Sequence, residues 1–288
     1  MLAVRVHHFG SPSAIVVDDI PVPSPAPDEV LVRVHASGVG PWDAWIREGQ
    51  SKVGHSLPLT LGTDFAGTVE AMGSKVDSLD LGDKIFGVCN SMFTNANAEY
   101  ALAPADKVAA LPKSLDFIQG ASVPVIAVTA WQMLVDFAAV KPGQSVLIAG
   151  ARGNVGSYAI QLARTLGVHV TAMDRGDAVP DIRVDAILDL VGGDAQNALL
   201  PAVKRGGTFV SAVAPPTADL AEQLGVRAQF FLVNVTSAHL ERIAERFRHG
   251  ELETRVGAVL PLDQAQRAHE MLAGVTPRSP GKIVLRAP

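Results

Sequence analysis

The sequence predicts an α/β protein built from a small all-β barrel and a doubly wound parallel sheet. Three observations carry this reading. Up to about Leu111, apolar residues come in short alternating runs punctuated by glycine and proline, the pattern of short barrel strands. From Ser145 onward, strand-like and helix-like segments alternate, which builds a parallel sheet with helices on its faces. The stretch 144–167, QSVLIAGARGNVGSYAIQLARTLG, reads as strand, glycine turn and helix in that order.

Taken in order, Leu2 to Val6 alternates as a strand, Ser11 to Ser13 turns around Pro12, and Ile15 to Val17 forms a second strand. Ile20 to Pro27 carries four prolines and must be extended and edge-like, because proline cannot donate to a ladder. Val30 to Ala36 alternates cleanly, Pro41 to Glu48 suits a helical turn, and Pro58 to Leu61 reads as a connector. Phe65 to Met72, Lys84 to Val88 and Ala98 to Ala103 are further strands. Asp116 to Phe137 is helical, and the alternating part follows. Its strands are Val146–Ala149, Val168–Ala172, Asp185–Leu190, Gly207–Ala212 and Gln229–Val233. Its helices follow Gly153 and cover Ala195–Val203, Thr217–Leu224 and Ser237–His249. The tail, with strands at 258–262 and 282–286 around a helix at 263–272, is expected to rejoin the barrel, since chain termini commonly lie close together. The expected domains are therefore 1–115 with 255–288, and 116–254.

Composition bounds the function. At 288 residues and 48% hydrophobic, the chain can bury two sizeable cores. A net charge of −5 with only 18% charged residues and no basic run argues against nucleic acid or an anionic membrane as partner. The single cysteine, Cys89, excludes a disulfide framework and any multi-cysteine metal site, and points to a cytosolic, cytoplasmic setting. The N-terminus lacks the order of a signal peptide. The longest apolar stretch, Ala121 to Trp131, is too short to span a bilayer and contains Pro124.

The glycine turn is the first candidate site. Ala151 takes the first position of a G-x-G-x-x-G spacing, and Gly153 and Gly156 keep the other two. Backbone at such a turn can approach a pyrophosphate, and the N–H groups of the helix start favour an anion. Ala151, Arg152, Gly153, Asn154, Val155 and Gly156 are the candidate cradle. Asp174 stands where an acid would bind a ribose 2′-OH and favour NAD; Arg175, with Arg152, could instead pair with a 2′-phosphate. A solvated turn through Gly176 is the structural alternative.

Further motifs add specificity through their order: PDEVLVRVHASGV, PWDAWIREG, LPLTLGTDFAGTVEAMG, LGDKIFG, AEYALAPADKVAALPKSLDFIQGASVPVIAVTAWQML, DLVGG, RGGTFVS and GKIVL. With these the chain resembles the zinc-independent quinone oxidoreductase branch of the medium-chain dehydrogenase/reductases, over nearly its whole length. The resemblance implies a GroES-like barrel beside a Rossmann domain, with NADPH in the cleft and NADH left open. It implies hydride transfer to a quinone or α,β-unsaturated carbonyl, and a homodimer through the Rossmann domain. It places the nicotinamide against Val125, Thr129 and Val213, near Val191 and Gly192, with its reactive carbon facing Trp42, Thr63 and Phe231.

Metal is not expected. Zinc-dependent relatives use a cysteine and a His-Glu pair where this chain has Gly40 and Gly62-Thr63-Asp64. Without a Lewis acid, activated acceptors are favoured over simple alcohols.

Three departures stand out. The resemblance calls for Asn-Pro where this chain has Gly40-Pro41, so a polar group must come from Trp42, Asp43, Thr63 or Thr129; Trp42 and Trp45 also read as packing residues. Asp174 replaces a small residue. Finally, a helix–strand unit after strand two is missing. Only Met173 to Val184 links the flanking strands, and this link must cover a direct distance of about 20 Å. Twelve extended residues reach up to about 40 Å, so an extended strap suffices, leaving strand two as a sheet edge and the adenosine pocket short of a wall. Weaker cofactor binding follows. A degenerate homologue that binds nucleotide or a partner without turnover is the competing expectation; a zinc alcohol dehydrogenase is disfavoured by its missing ligands.

Overall fold

The computed structural model describes every residue from Met1 to Pro288. In chain order its elements are β1 (Leu2–Val6), β2 (Ile15–Asp19), β3 (Glu29–Val39), α1 (Pro41–Arg47), β4 (Leu59–Thr60), β5 (Asp64–Met72), β6 (Lys84–Val88), β7 (Tyr100–Pro104), β8 (Val108–Ala110), α2 (Phe117–Ala121), α3 (Pro124–Trp131), β9 (Ser145–Ala149), α4 (Asn154–Thr165), β10 (His169–Met173), β11 (Val184–Asp189), α5 (Ala195–Leu199), β12 (Val203–Ser211), α6 (Ala218–Leu224), β13 (Arg227–Phe230), α7 (Ser237–Arg248), β14 (Val256–Pro261), α8 (Ala265–Leu272) and β15 (Lys282–Arg286). They form two compact units, one of Met1–Val125 with Val235–Pro288 and one of Ile126–Asn234. None of the helices is long and apolar enough to cross a membrane.

The first unit is built on β3. It pairs antiparallel with β5, β7 and the C-terminal β15 within a seven-stranded sheet ordered β14-β15-β3-β5-β6-β8. The tail therefore does return to the N-terminal strands, with Ile283 opposite Val39. β3 runs on through Ser37, Gly38 and Val39, past the alternating stretch, because β15 supplies backbone partners there. A smaller sheet, β2-β1-β4, covers a core of Val4, Val6, Ile15, Ile46, Leu61 and Leu285. β4 turns the expected connector into a short strand by pairing with Arg5 and Val6. α7, placed by the sequence in the nucleotide-binding part, lies in the first unit, where Ser237 Oγ donates to the Ala105 carbonyl at 3.0 Å.

The second unit is an all-parallel sheet ordered β10-β9-β11-β12-β13. β10 is its edge. The segment from Asp174 to Arg183 contains no helix and no strand, as the strap expectation requires. It is not loose, since Val179 and Ile182 pack against the core formed by Leu147, Ala149, Met173 and Ile187. The single helix expected over Asp116–Phe137 is broken into α2, α3 and a wider π-helical turn, Gln132–Phe137. Pro124 supplies no N–H, so it can open a helix but not continue one. β13 comes earlier than Gln229–Val233, because its register is set by pairing Arg227 with Thr208 on β12.

Candidate functional site

In the second unit, candidate residues gather at the C-terminal ends of the strands, where open α/β sheets bind ligands. β9 runs into the turn Gly150–Gly153. The N–H groups of Gly150 and Ala151 both donate to the Met173 carbonyl, at 2.8 and 3.1 Å. Gly153 then caps α4 without a side chain to block it. At Gly156 a Cβ would collide with the Gly150 carbonyl and sit 2.7 Å from Ala151 Cα, so only glycine lets α4 pack this closely on the turn. Asn154, Val155 and Gly156 form the first turn of a twelve-residue helix, whose leading N–H groups have no intrahelical acceptor. With the partial positive charge of the helix end, this is a cradle that fits a pyrophosphate.

Arg152 and Asp174 take each other up. The Arg152 N–H donates to Asp174 Oδ1 at 2.9 Å, and its guanidinium Nε lies 2.8 Å from Oδ2. The Asp174 N–H in turn donates to Asp177 Oδ2 at 2.8 Å, while Arg175 is exposed. The tip of β10 is thus clasped to the glycine turn.

A network absent from the sequence reading shapes the next two strand ends. Asp189 is fully buried at the end of β11. Its Oδ1 accepts the N–H groups of Val191 and Gly192 at 3.0 and 2.9 Å. Its Oδ2 accepts Gln196 Nε2 and Ser211 Oγ, both at 2.8 Å. Ser211 Oγ accepts the Val213 N–H at 3.1 Å. This arrangement brings Val191, Gly192 and Val213 together: a Cβ at Gly192 would lie 2.7 Å from Val213 Cγ1. Phe231 is buried against Phe137, with ring centroids 4.4 Å apart. Thr129 is buried in α3.

The first unit holds the other candidates. Asp43, at the third position of α1, accepts the Gly40 N–H on Oδ2 at 2.7 Å and so caps its own helix. The space a side chain at residue 40 would need is filled by Trp42, whose Cη2 and Cζ2 would lie 2.5 Å from a Cβ there. The absence of a side chain at Gly40 and the inward turn of Trp42 are therefore one feature. Trp45, read as a packing residue, is instead 46% exposed. The Trp42 ring also carries Lys282 Nζ 4.2 Å from its centroid. Lys282 and Asp64 are both buried and pair at 2.7 Å, and Asp64 Oδ1 accepts the Val125 N–H at 2.9 Å. Burial raises the Asp64 carboxyl, and Lys282 pulls it back down. Asp43 is pushed up to about 7, first by burial and then by Asp64, against the Gly40 N–H and Lys282. Thr63 is buried with its hydroxyl unpartnered.

No three His, Cys, Asp or Glu side chains converge as a metal-holding group. Cys89 is buried, and burial raises its thiol far above the usual range, away from the thiolate a metal needs.

Comparison with known proteins shows the family. The family described as "Alcohol dehydrogenase GroES-like domain" matches residues 26–113, and the one described as "Zinc-binding dehydrogenase" matches 166–285. A quinone oxidoreductase of Sus scrofa is 45% identical over 171 residues, which are 59% of this chain and 51% of that protein. In that comparison the chain spans about half the length of its relative. A quinone oxidoreductase of Pongo abelii is 30% identical over 326 residues, covering 99% of this chain and 97% of its own. The chain belongs to the quinone oxidoreductase branch of the medium-chain dehydrogenase/reductase superfamily. The solved quinone oxidoreductase from Coxiella burnetii superposes with a TM-score of 0.89 at 30% identity, covering 99% of both chains. A mycobacterial relative solved in complex with NADPH gives a TM-score of 0.86 at 25% identity, with 99% and 100% covered. The alignment with the Pongo abelii relative runs to 326 positions, more than the 288 residues of this chain, so it opens gaps in this chain.

Proposed function

We propose that the chain is a zinc-independent reductase that passes hydride from NADPH, or from NADH, to a quinone or an α,β-unsaturated carbonyl. The observation that carries this reading is the set of strand ends in the second unit: a glycine cradle at β9 and a buried Asp189 holding Val191, Gly192 and Val213. Ala151 to Gly156 would hold the pyrophosphate, and Asp174 with Arg175 would face the adenosine ribose. Val125, Thr129, Val213 and Phe231 are proposed for the nicotinamide, and Trp42 and Thr63 for the acceptor. The reduced nicotinamide supplies the hydride. The residues supply orientation and an apolar surround, and the unpartnered Trp42 N–H is a donor for an acceptor oxygen. No zinc ligand set supports a Lewis-acid step, so an acceptor activated by its own conjugation fits best. The first unit is proposed as the substrate domain and the second as the nucleotide domain, in a cytosolic homodimer.

Recording NADPH and NADH oxidation with 1,4-benzoquinone and with a simple enone tests the activity. Turnover with either acceptor and no stoichiometric zinc on metal analysis is the expected result. Absence of turnover with both cofactors would favour the second reading, a nucleotide-binding homologue without activity. That reading is motivated by the bare β10 edge and by Gly40, which offers no side-chain donor. Sedimentation velocity tests the dimer.

A further inference from the structure

Around Gly40 and Gly62 the first unit keeps an unusual set of polar atoms without partners: Asp43 Oδ1, Thr63 Oγ1, Trp42 Nε1 and both side-chain polar atoms of Asn97. Asp43, Thr63 and Asn97 are fully buried. Asn97 was not among the sequence candidates. The groups are neighbours by way of the two glycines. The Gly40 N–H donates to Asp43 Oδ2 at 2.7 Å, and the Gly62 N–H bears on the same carboxyl. A Cβ at Gly62 would collide with Asn97 Oδ1, and the Asn97 N–H donates to the Leu61 carbonyl at 2.9 Å. Thr63 follows Gly62, and the Trp42 ring lies over Gly40. One orphaned buried polar group is costly, and several in one place persist only where something completes their hydrogen bonds. Buried water does this where two to four polar partners converge.

We propose that Asp43, Thr63 and Asn97 enclose an internal water site through which Asp43 supplies the proton that follows hydride transfer. This rests on the reductase reading above. Asp43 has no counter-ion of its own. The charged groups that face it are Asp64 of β5 and Lys282 of β15, and these are paired with each other. Arg47 and His269, at the α1–α8 contact, are bound together at 2.8 Å, and Arg47 also pairs with Glu48. Hydride adds to the β-carbon of an enone and leaves an enolate, or to a quinone oxygen and leaves a hydroquinone monoanion. The site's water protonates that anion and takes the proton of the Asp43 carboxyl. The Asp43 carboxylate then takes a proton back from solvent, so each cycle consumes one NAD(P)H and one proton. The Thr63 hydroxyl and the Asn97 amide can each donate or accept, and so hold the water throughout.

Three measurements on the full-length protein test this. A high-resolution crystal structure should show water bridging Asp43 and Asn97. An infrared pH titration should show a protonated-carboxyl stretch near neutrality that is missing in Asp43→Asn. With NADPH and an enone, Asp43→Asn should lower kcat by roughly 10²-fold with KM unchanged, and should lose both the pH dependence and the solvent isotope effect of the wild type. A dry site, a band that survives Asp43→Asn, or an unchanged pH profile overturns the proposal. A wild type that oxidises no NADPH overturns the reductase reading and the proton role together. That outcome is distinguishable from a dry site or a missing band, which sink the water site alone.

Discussion

Asp43 and His269 are both buried, and their folded states move in directions that oppose each other in pH. Asp43 is raised to about 7 chiefly by burial, whereas an unfolded aspartate titrates near about 3.9. Between those values the unfolded chain has released a proton that the folded chain keeps. Stability from this group therefore falls as pH rises through the window, and is level above it. His269 is lowered to about 3 by burial and then by Arg47, against about 6.5 when unfolded. Its contribution is fully present above about 6.5 and is lost as pH falls toward 3. Urea unfolding across pH should separate the two. Relative to wild type, Asp43→Asn should gain about 1.4 kcal/mol per pH unit as pH rises from about 4 to 7, and His269→Gln should gain similarly as pH falls below about 6.5. Differences that stay flat with pH would contradict both assignments. Gly40 invites a second test. A side chain there meets the Trp42 ring at 2.5 Å, so Gly40→Asn should destabilise by about 1–3 kcal/mol. Combining it with Trp42→Val should recover a large part of that loss, and strictly additive costs would show that the two positions do not share one space.

At the scale of elements, α4 and its glycine turn make the sharpest prediction. Gly156→Ala drives a methyl into the Gly150 carbonyl and to within 2.7 Å of Ala151 Cα, both of them backbone. Gly153→Ala meets only the Gly150 carbonyl, at 3.2 Å, from an ordinary extended conformation. Equilibrium titration with NADPH should therefore find binding lost in Gly156→Ala and weakened only a few-fold in Gly153→Ala; equal affinities would remove the turn from the cofactor site. Elements whose local pattern and turn chemistry agree were legible in the sequence: β3 by alternation, α4 by its glycine start and apolar spacing, α7 by its helical period. Elements that exist because of a distant partner were not. β4 and β8 are two and three residues long and are specified by β1 and β6, far away in sequence. The Asp189 network has the same character, since its members Gln196 and Ser211 lie 7 and 22 residues on and meet only when β11 and β12 pair. Asn97 is invisible for the same reason, because its neighbours are the distant Gly62 and Leu61. The glycine turn, by contrast, could be read directly, because strand, turn and helix are contiguous.

At the scale of the whole molecule, the short connection after β10 leaves that strand as the edge of the second unit's sheet. The order β10-β9-β11-β12-β13 is uninterrupted. Val179 and Ile182 pack against a core that includes Met173 of β10. With the cofactor bound as proposed above, its affinity leans on the cradle at α4 and on what the β10 tip offers the ribose. That tip carries a carboxylate already held on both oxygens by Arg152. A ribose 2′-OH can share such a carboxylate, whereas a 2′-phosphate meets its negative charge unless Arg152 swings away to pair with the phosphate. Arg152 is free to swing, as its side chain is 83% exposed. The chain should therefore accept both cofactors, with Asp174 setting the balance between them. Asp174→Ser keeps an oxygen for the Arg152 N–H, removes the charge and releases the guanidinium. Measured by fluorescence titration, the ratio of NADPH to NADH affinity should rise roughly tenfold, about 1.4 kcal/mol, mainly through tighter NADPH binding. A ratio that does not move would mean that Asp174 only clasps β10 to the glycine turn and that the ribose is read elsewhere. The thermal stability of Asp174→Ser would then fall without any change in cofactor choice.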